Sequence, residues 1–134
     1  MPRERRSACP ISYALDLFGD RWTLLVLRDL ILFNKRYFGD FLASGEGIAT
    51  NVLSERLARL EEAGMVSRRR DPEDGKRFVY RATEKARGTL PIMLELIAWS
   101  GRYDPDTPAS AAFLKRIHDE RPRLVKEILA RLDP

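Results

Sequence analysis

The feature that most restricts the fold is a change of hydrophobic period at Gly64. Before it, residues 47–64 read as one amphipathic helix. Leu53, Leu57 and Leu60 recur at the i, i+4, i+7 spacing that lines one helix face. Thr50 is placed to cap its start, and Gly64 to stop it, since glycine turns left-handed without steric cost. After it, Met65–Arg70 and Arg77–Ala82 are short and partly alternating, with the turn formers Asp71-Pro72-Glu73-Asp74-Gly75-Lys76 between them. That pattern predicts a β-hairpin. Upstream, Tyr37–Leu42 reads as a short helix and Ser44-Gly45-Glu46-Gly47 as a turn. Helix, glycine-containing turn, helix and hairpin in direct succession form a helix-turn-helix with a wing, a far more specific signal than any one part.

The remaining segments fit around that unit. Ile11–Phe18 reads as a first helix ending at Gly19, and Asp20 as the cap of a strongly apolar helix, Trp22–Leu32, at the buried centre. Trp22 is read as a core anchor. Thr83 is placed to cap a long helix running to Trp99, with Pro91 marking a kink or an earlier break near Leu90. Gly101–Pro108 reads as a linker, and Ala109–Leu132 as one or two amphipathic helices interrupted at Arg121-Pro122. The expected fold class is α+β, mainly α: a winged helix-turn-helix domain over residues 1–100 and a helical extension over 101–134. The apolar side chains of the extension exceed what a small winged helix needs, so they are expected to bury against a partner subunit.

Composition narrows the function classes. The 134 residues are 44% hydrophobic and 33% charged, as in a soluble globular domain. No apolar run approaches the about 18 residues that cross a bilayer. No signal-peptide core follows Met1-Pro2-Arg3-Glu4-Arg5-Arg6, so no membrane partner and a cytoplasmic location are expected. One cysteine and one histidine exclude an internal disulfide and a standard cysteine/histidine zinc site. No metal or cofactor is expected. Nor is an enzyme: His118 lies in the tail beside Asp119 and Glu120, far in sequence from Cys9, and no phosphate-binding glycine loop occurs. The net charge of +4 is mild. Its distribution is more telling, with clusters at Arg3–Arg6, Lys35-Arg36, Arg68–Arg70 and Lys76-Arg77.

These features point to double-stranded DNA. Asn51 and Ser54 face away from the leucine stripe near the helix start, where side chains can hydrogen-bond base edges, and Asn suits adenine in bidentate fashion. Thr50 serves either as a third base contact or as the cap. Arg36, Arg56, Arg59, Lys76 and Arg77 are the candidate phosphate contacts, which hold register without reading sequence. Arg56 lies only about 60° from the leucine stripe, so a structural ion pair is its alternative. Arg68, Arg69 and Arg70 are either further phosphate contacts or a solvated strand surface. A two-fold dimer would present two such helices to half-sites about one helical turn apart. The competing reading is a winged helix used for protein contact alone, which salt dependence would separate from DNA binding.

The residues also carry a family resemblance. Cys9-Pro10, Ala14–Leu25, Leu27–Leu30, Arg36–Phe41, Gly47–Leu57, Leu60–Val66 and Tyr80–Ala86 resemble the HxlR-type winged-helix transcriptional regulators, relatives of the MarR group. The resemblance covers about residues 9–100. It implies a homodimeric bacterial DNA-binding regulator, with dimer contacts from the first helix and the C-terminal helices. Repression by occlusion is the expected sign for so small a chain. Two departures stand out: Tyr37 replaces a basic residue usual beside Arg36, and acidic Asp71, Glu73 and Asp74 stand at the base of the wing. Some members sense electrophiles or oxidants at the cysteine matching Cys9. Its place ahead of the first helix, near Arg5 and Arg6, favours a thiolate. A small electrophile or oxidant is therefore the effector the resemblance implies, the alternative being an inert, half-buried thiol.

Overall fold

The computed structural model describes residues 6–132. The elements run α1 (Pro10–Phe18), α2 (Thr23–Ile31), α3 (Phe38–Leu42), α4 (Thr50–Glu62), β1 (Val66–Arg70), β2 (Phe78–Ala82), α5 (Glu84–Arg87), α6 (Leu90–Tyr103), α7 (Ala111–Asp119) and α8 (Arg121–Ala130). This is the expected winged helix-turn-helix with extra helices at both ends. Leu27, Leu30 and Ile31 of α2 are buried in the core, alongside Phe41 of α3 and Leu53, Leu57 and Leu60 of α4. Phe41 meets Tyr80 of β2 edge-on, with ring centroids 6.0 Å apart. That contact seats the wing on the helix-turn-helix.

The two strands pair antiparallel, from Val66 opposite Ala82 to Arg70 opposite Phe78. The Tyr80 N–H donates to the Arg36 carbonyl at 2.8 Å, tying the far edge of β2 to the loop before α3. Gly64 joins α4 to β1 at φ +74°, a conformation that is costly for residues with a Cβ. The Thr83 hydroxyl accepts from the Ala86 N–H at 3.3 Å and donates to the Gly64 carbonyl at 2.7 Å, so one side chain caps α5 and fastens this turn.

Three expectations are corrected, and one alternative is decided. Thr50 does not cap α4: the cap position is Ala49, with no side-chain bond, and Thr50 is the first helical residue. Of the kink and the earlier break near Leu90, the structure has the break, at Gly88-Thr89, with Pro91 in the first turn of α6, where it costs no hydrogen bond. The linker starts at Asp104 rather than Gly101, because α6 continues to Tyr103. The tail forms two helices, but Ile117, Leu124 and Ile128 are buried in the chain's own core with Leu90, Met93 and Leu94. Those three side chains are not available to a partner. Gly101 makes this docking close: a Cβ there would stand 2.6 Å from Leu114 Cδ2.

Candidate nucleic-acid interface

The α4 helix turns Leu53, Leu57 and Leu60 inward and leaves Thr50, Asn51 and Ser54 exposed on its opposite face. Its placement rests on three sets of contacts. The Arg28 guanidinium on α2 bonds Asp29 at 2.9 Å and Glu46 of the helix-turn-helix turn at 2.9 Å. Lys85 Nζ donates to the Ala63 carbonyl at 2.8 Å, holding the C-terminal end of α4. Asp20 holds the middle.

Asp20 Oδ1 accepts the Trp22 N–H at 2.8 Å and the Thr23 N–H at 3.0 Å, while Oδ2 accepts the Thr23 hydroxyl at 2.6 Å. The cap position of α2 is Trp22 rather than Asp20, but Asp20 takes up the N–H groups at the entry to the helix. The same carboxylate accepts Arg56 Nε at 3.1 Å and lies 3.9 Å from Arg59 Nη2. Burial by itself would raise the Asp20 pKa; the bonds from Thr23, Trp22 and Arg56 outweigh it and hold the carboxyl well below the usual carboxylate range. Glu55 also pairs with Arg56, and lies 3.9 Å from Arg59. Arg56 therefore shows the structural ion pair weighed for it.

In the wing, Lys76 and Arg77 are both exposed. Arg77 Nε donates to buried Asp71 at 2.6 Å, and its guanidinium carbon lies 3.8 Å from the centroid of the Tyr37 ring. Tyr37 thus becomes the platform for a wing arginine. Asp71 is held below the usual carboxylate range first by the Glu73 N–H and then by Arg77. Arg68 and Arg70 flank the Phe78 ring at 4.3 and 5.0 Å, and Arg68 pairs with Glu61 at 3.3 Å. Arg69 is exposed.

Arg36 is placed elsewhere, half-buried in a crevice lined also by Lys35, Arg81 and Arg87. Cys9 is exposed at the cap position of α1, its N–H donating to Ser7 Oγ at 3.2 Å. Arg6 is exposed, whereas Arg3, Glu4 and Arg5 lie outside the described residues. Among the described residues, no group of three or more His, Cys, Asp or Glu side chains could hold a metal ion, and no helix is long and apolar enough to cross a membrane. The Asp20–Arg56 and Tyr37–Arg77 contacts went unread in the sequence because their partners lie 36 and 40 positions apart with no spacing rule joining them.

A profile of the HxlR-like helix-turn-helix family matches residues 17–107. The chain belongs to the HxlR-like helix-turn-helix family. Among its relatives is Mb3122 of Mycobacterium bovis, an uncharacterized HTH-type transcriptional regulator, 40% identical over 95 residues, which cover 71% of this chain and 59% of that one. The chain thus spans about three-fifths of the length of that relative. The Bacillus subtilis HTH-type transcriptional regulator YodB is 31% identical over 96 residues, covering 71% of this chain and 85% of YodB. The reduced form of YodB superposes with a TM-score of 0.58 at 26% identity, covering 75% and 99% of the two chains. The oxidized form of the redox regulator HypR gives 0.62 at 26% identity, covering 70% and 96%. The HxlR-like match includes both helices of the helix-turn-helix, the wing and α6, and ends before α7.

Proposed function

We propose that this HxlR-like chain is a sequence-specific, DNA-binding transcriptional regulator that acts as a homodimeric repressor on a palindromic operator. The observation that carries the reading is the exposed Thr50, Asn51 and Ser54 face of α4, braced from behind, with the cationic wing following it. In this reading Asn51 and Ser54 read base edges, with Thr50 beside them on the first turn. Lys76 and Arg77 of the wing, with Arg59, contact phosphates, whereas Arg56 is held in its ion pairs and Arg36 lies in the separate crevice. The names of Mb3122 and YodB as transcriptional regulators support it. The test is recovery of genomic fragments by the purified protein. Palindromic fragments recovered by wild type and lost with Asn51→Ala/Ser54→Ala support the reading. Binding that ignores both sequence and added salt refutes it.

Dimerisation is supported by apolar side chains left in solvent on two helices. On α6, Ile92, Leu96, Trp99 and Tyr103 follow an i, i+4, i+7, i+11 stripe, with Trp99 62% exposed and the Trp99 and Tyr103 rings 5.3 Å apart. On α1, Ile11 and Leu15 are similarly exposed. A face of this kind marks an interface in a folded protein. The effector reading places a small electrophile or oxidant at Cys9. YodB has been crystallised with bound quinone, a structure 27% identical to this chain with a TM-score of 0.58, and HypR is named a redox regulator. Quinone or diamide should release the operator from wild type but not from Cys9→Ser; release that persists in Cys9→Ser refutes the thiol route.

A further inference from the structure

We infer that Asp20 is a positioning residue that sets sequence discrimination by α4, through its hydrogen bond to Arg56 and, more weakly, its ion pair with Arg59. The inference rests on the DNA-reading function proposed above. Asp20 lies on no element of the helix-turn-helix; it stands between α1 and α2, two residues beyond the end of α1. Its carboxylate takes three bonds from Trp22 and Thr23, so its position is fixed by the start of α2, where Thr23 is 2% exposed. From that fixed point it reaches Arg56 at 3.1 Å and Arg59 at 3.9 Å. These two arginines lie about one and a half and two turns C-terminal to Asn51 on the same helix. A bond between two fixed charged groups constrains rotation of α4 about its own axis, and the bearing of Asn51 on a base edge depends on that rotation.

The charge arithmetic makes the inference testable. An acid beside a DNA-binding helix repels phosphate, and removing it frees two cations. Electrostatics alone therefore makes Asp20→Asn bind every duplex more tightly, with discrimination unchanged. Positioning predicts the opposite for the operator: weaker operator binding together with equal or tighter binding to unrelated duplex.

The experiment measures the dissociation constants of full-length protein for a recovered operator and for an unrelated duplex of equal length, at one salt concentration. For Asp20→Asn the ratio of the unrelated-duplex constant to the operator constant is expected to fall at least about tenfold, equivalent to about 1.4 kcal/mol. In an Arg56→Gln background the same substitution should change the ratio by less than about twofold, because the bond it breaks is already missing. Ile128→Val, a core shortening in the tail, controls for lost stability and should leave the ratio at its wild-type value. A ratio within about twofold of wild type for Asp20→Asn overturns the inference. So does a loss fully additive with Arg56→Gln, or an equal loss in Ile128→Val. If wild type itself prefers no fragment, the regulator reading fails, and this inference with it.

Discussion

Gly101→Ala tests the docking of the C-terminal helices by the sign of its effect. Gly101 lies in the last turn of α6, where alanine should gain about 0.5 kcal/mol from backbone entropy alone. The structure opposes that gain. A Cβ at residue 101 would stand 2.6 and 2.8 Å from the two terminal carbons of Leu114 on α7. Ordinary carbon contacts lie about 3.5–4.0 Å apart, so the Leu114 side chain must withdraw by about 1 Å. The obstructing atoms are the free end of the half-buried Leu114 side chain, so the cost lies near the lower end of the overpacking range, about 1 kcal/mol, which still exceeds the helix gain. The net expectation is a destabilisation of about 0.5 kcal/mol, or about 2 °C in Tm. In a Leu114→Ala background the obstruction is gone, and Gly101→Ala should become stabilising by about 0.5 kcal/mol. Urea unfolding of the four proteins, followed by circular dichroism, closes the cycle. If Gly101→Ala stabilises wild type, or the two substitutions are additive, α7 does not pack on α6 as described.

Three further outcomes follow from other parts of the structure. Asp20 and Asp71 are both held below the usual carboxylate range, so the stability they contribute is present above the ordinary value of 3.8 and is lost as pH falls through their folded-state values. The urea midpoint should therefore drop on acidification below about pH 5, and drop less in Asp20→Asn. Gly64→Ala meets no atom within 4 Å but carries φ +74°, so calorimetry should show a loss of about 1–2 kcal/mol from backbone strain alone, part of it recovered by Asn. Leu96→Glu/Trp99→Glu should yield a folded monomer by sedimentation while helical content stays unchanged, since both side chains are exposed in the isolated chain.

The local elements were legible because each rests on a short-range rule. The leucine stripe and Gly64 mark α4, the turn formers at 71–76 mark the wing, and the exposure of Thr50, Asn51 and Ser54 follows from their angle to that stripe. Even there the rules have limits. A threonine one residue into a helix looks the same in sequence as a capping threonine, and Ala49 takes that place. The sequence by itself thus determined the order of elements and the polar face of α4. Tertiary structure alone decided what holds that face in place. Amphipathicity requires an apolar face to be covered but does not name its cover, so the tail's Ile117, Leu124 and Ile128 turned inward while Ile92, Leu96, Trp99 and Tyr103 stayed outside. Long-range contacts of charged side chains are less legible still. Asp20 and Arg56 stand 36 residues apart, and Tyr37 and Arg77 stand 40 apart. No periodicity relates such pairs; the packing of the core brings them together.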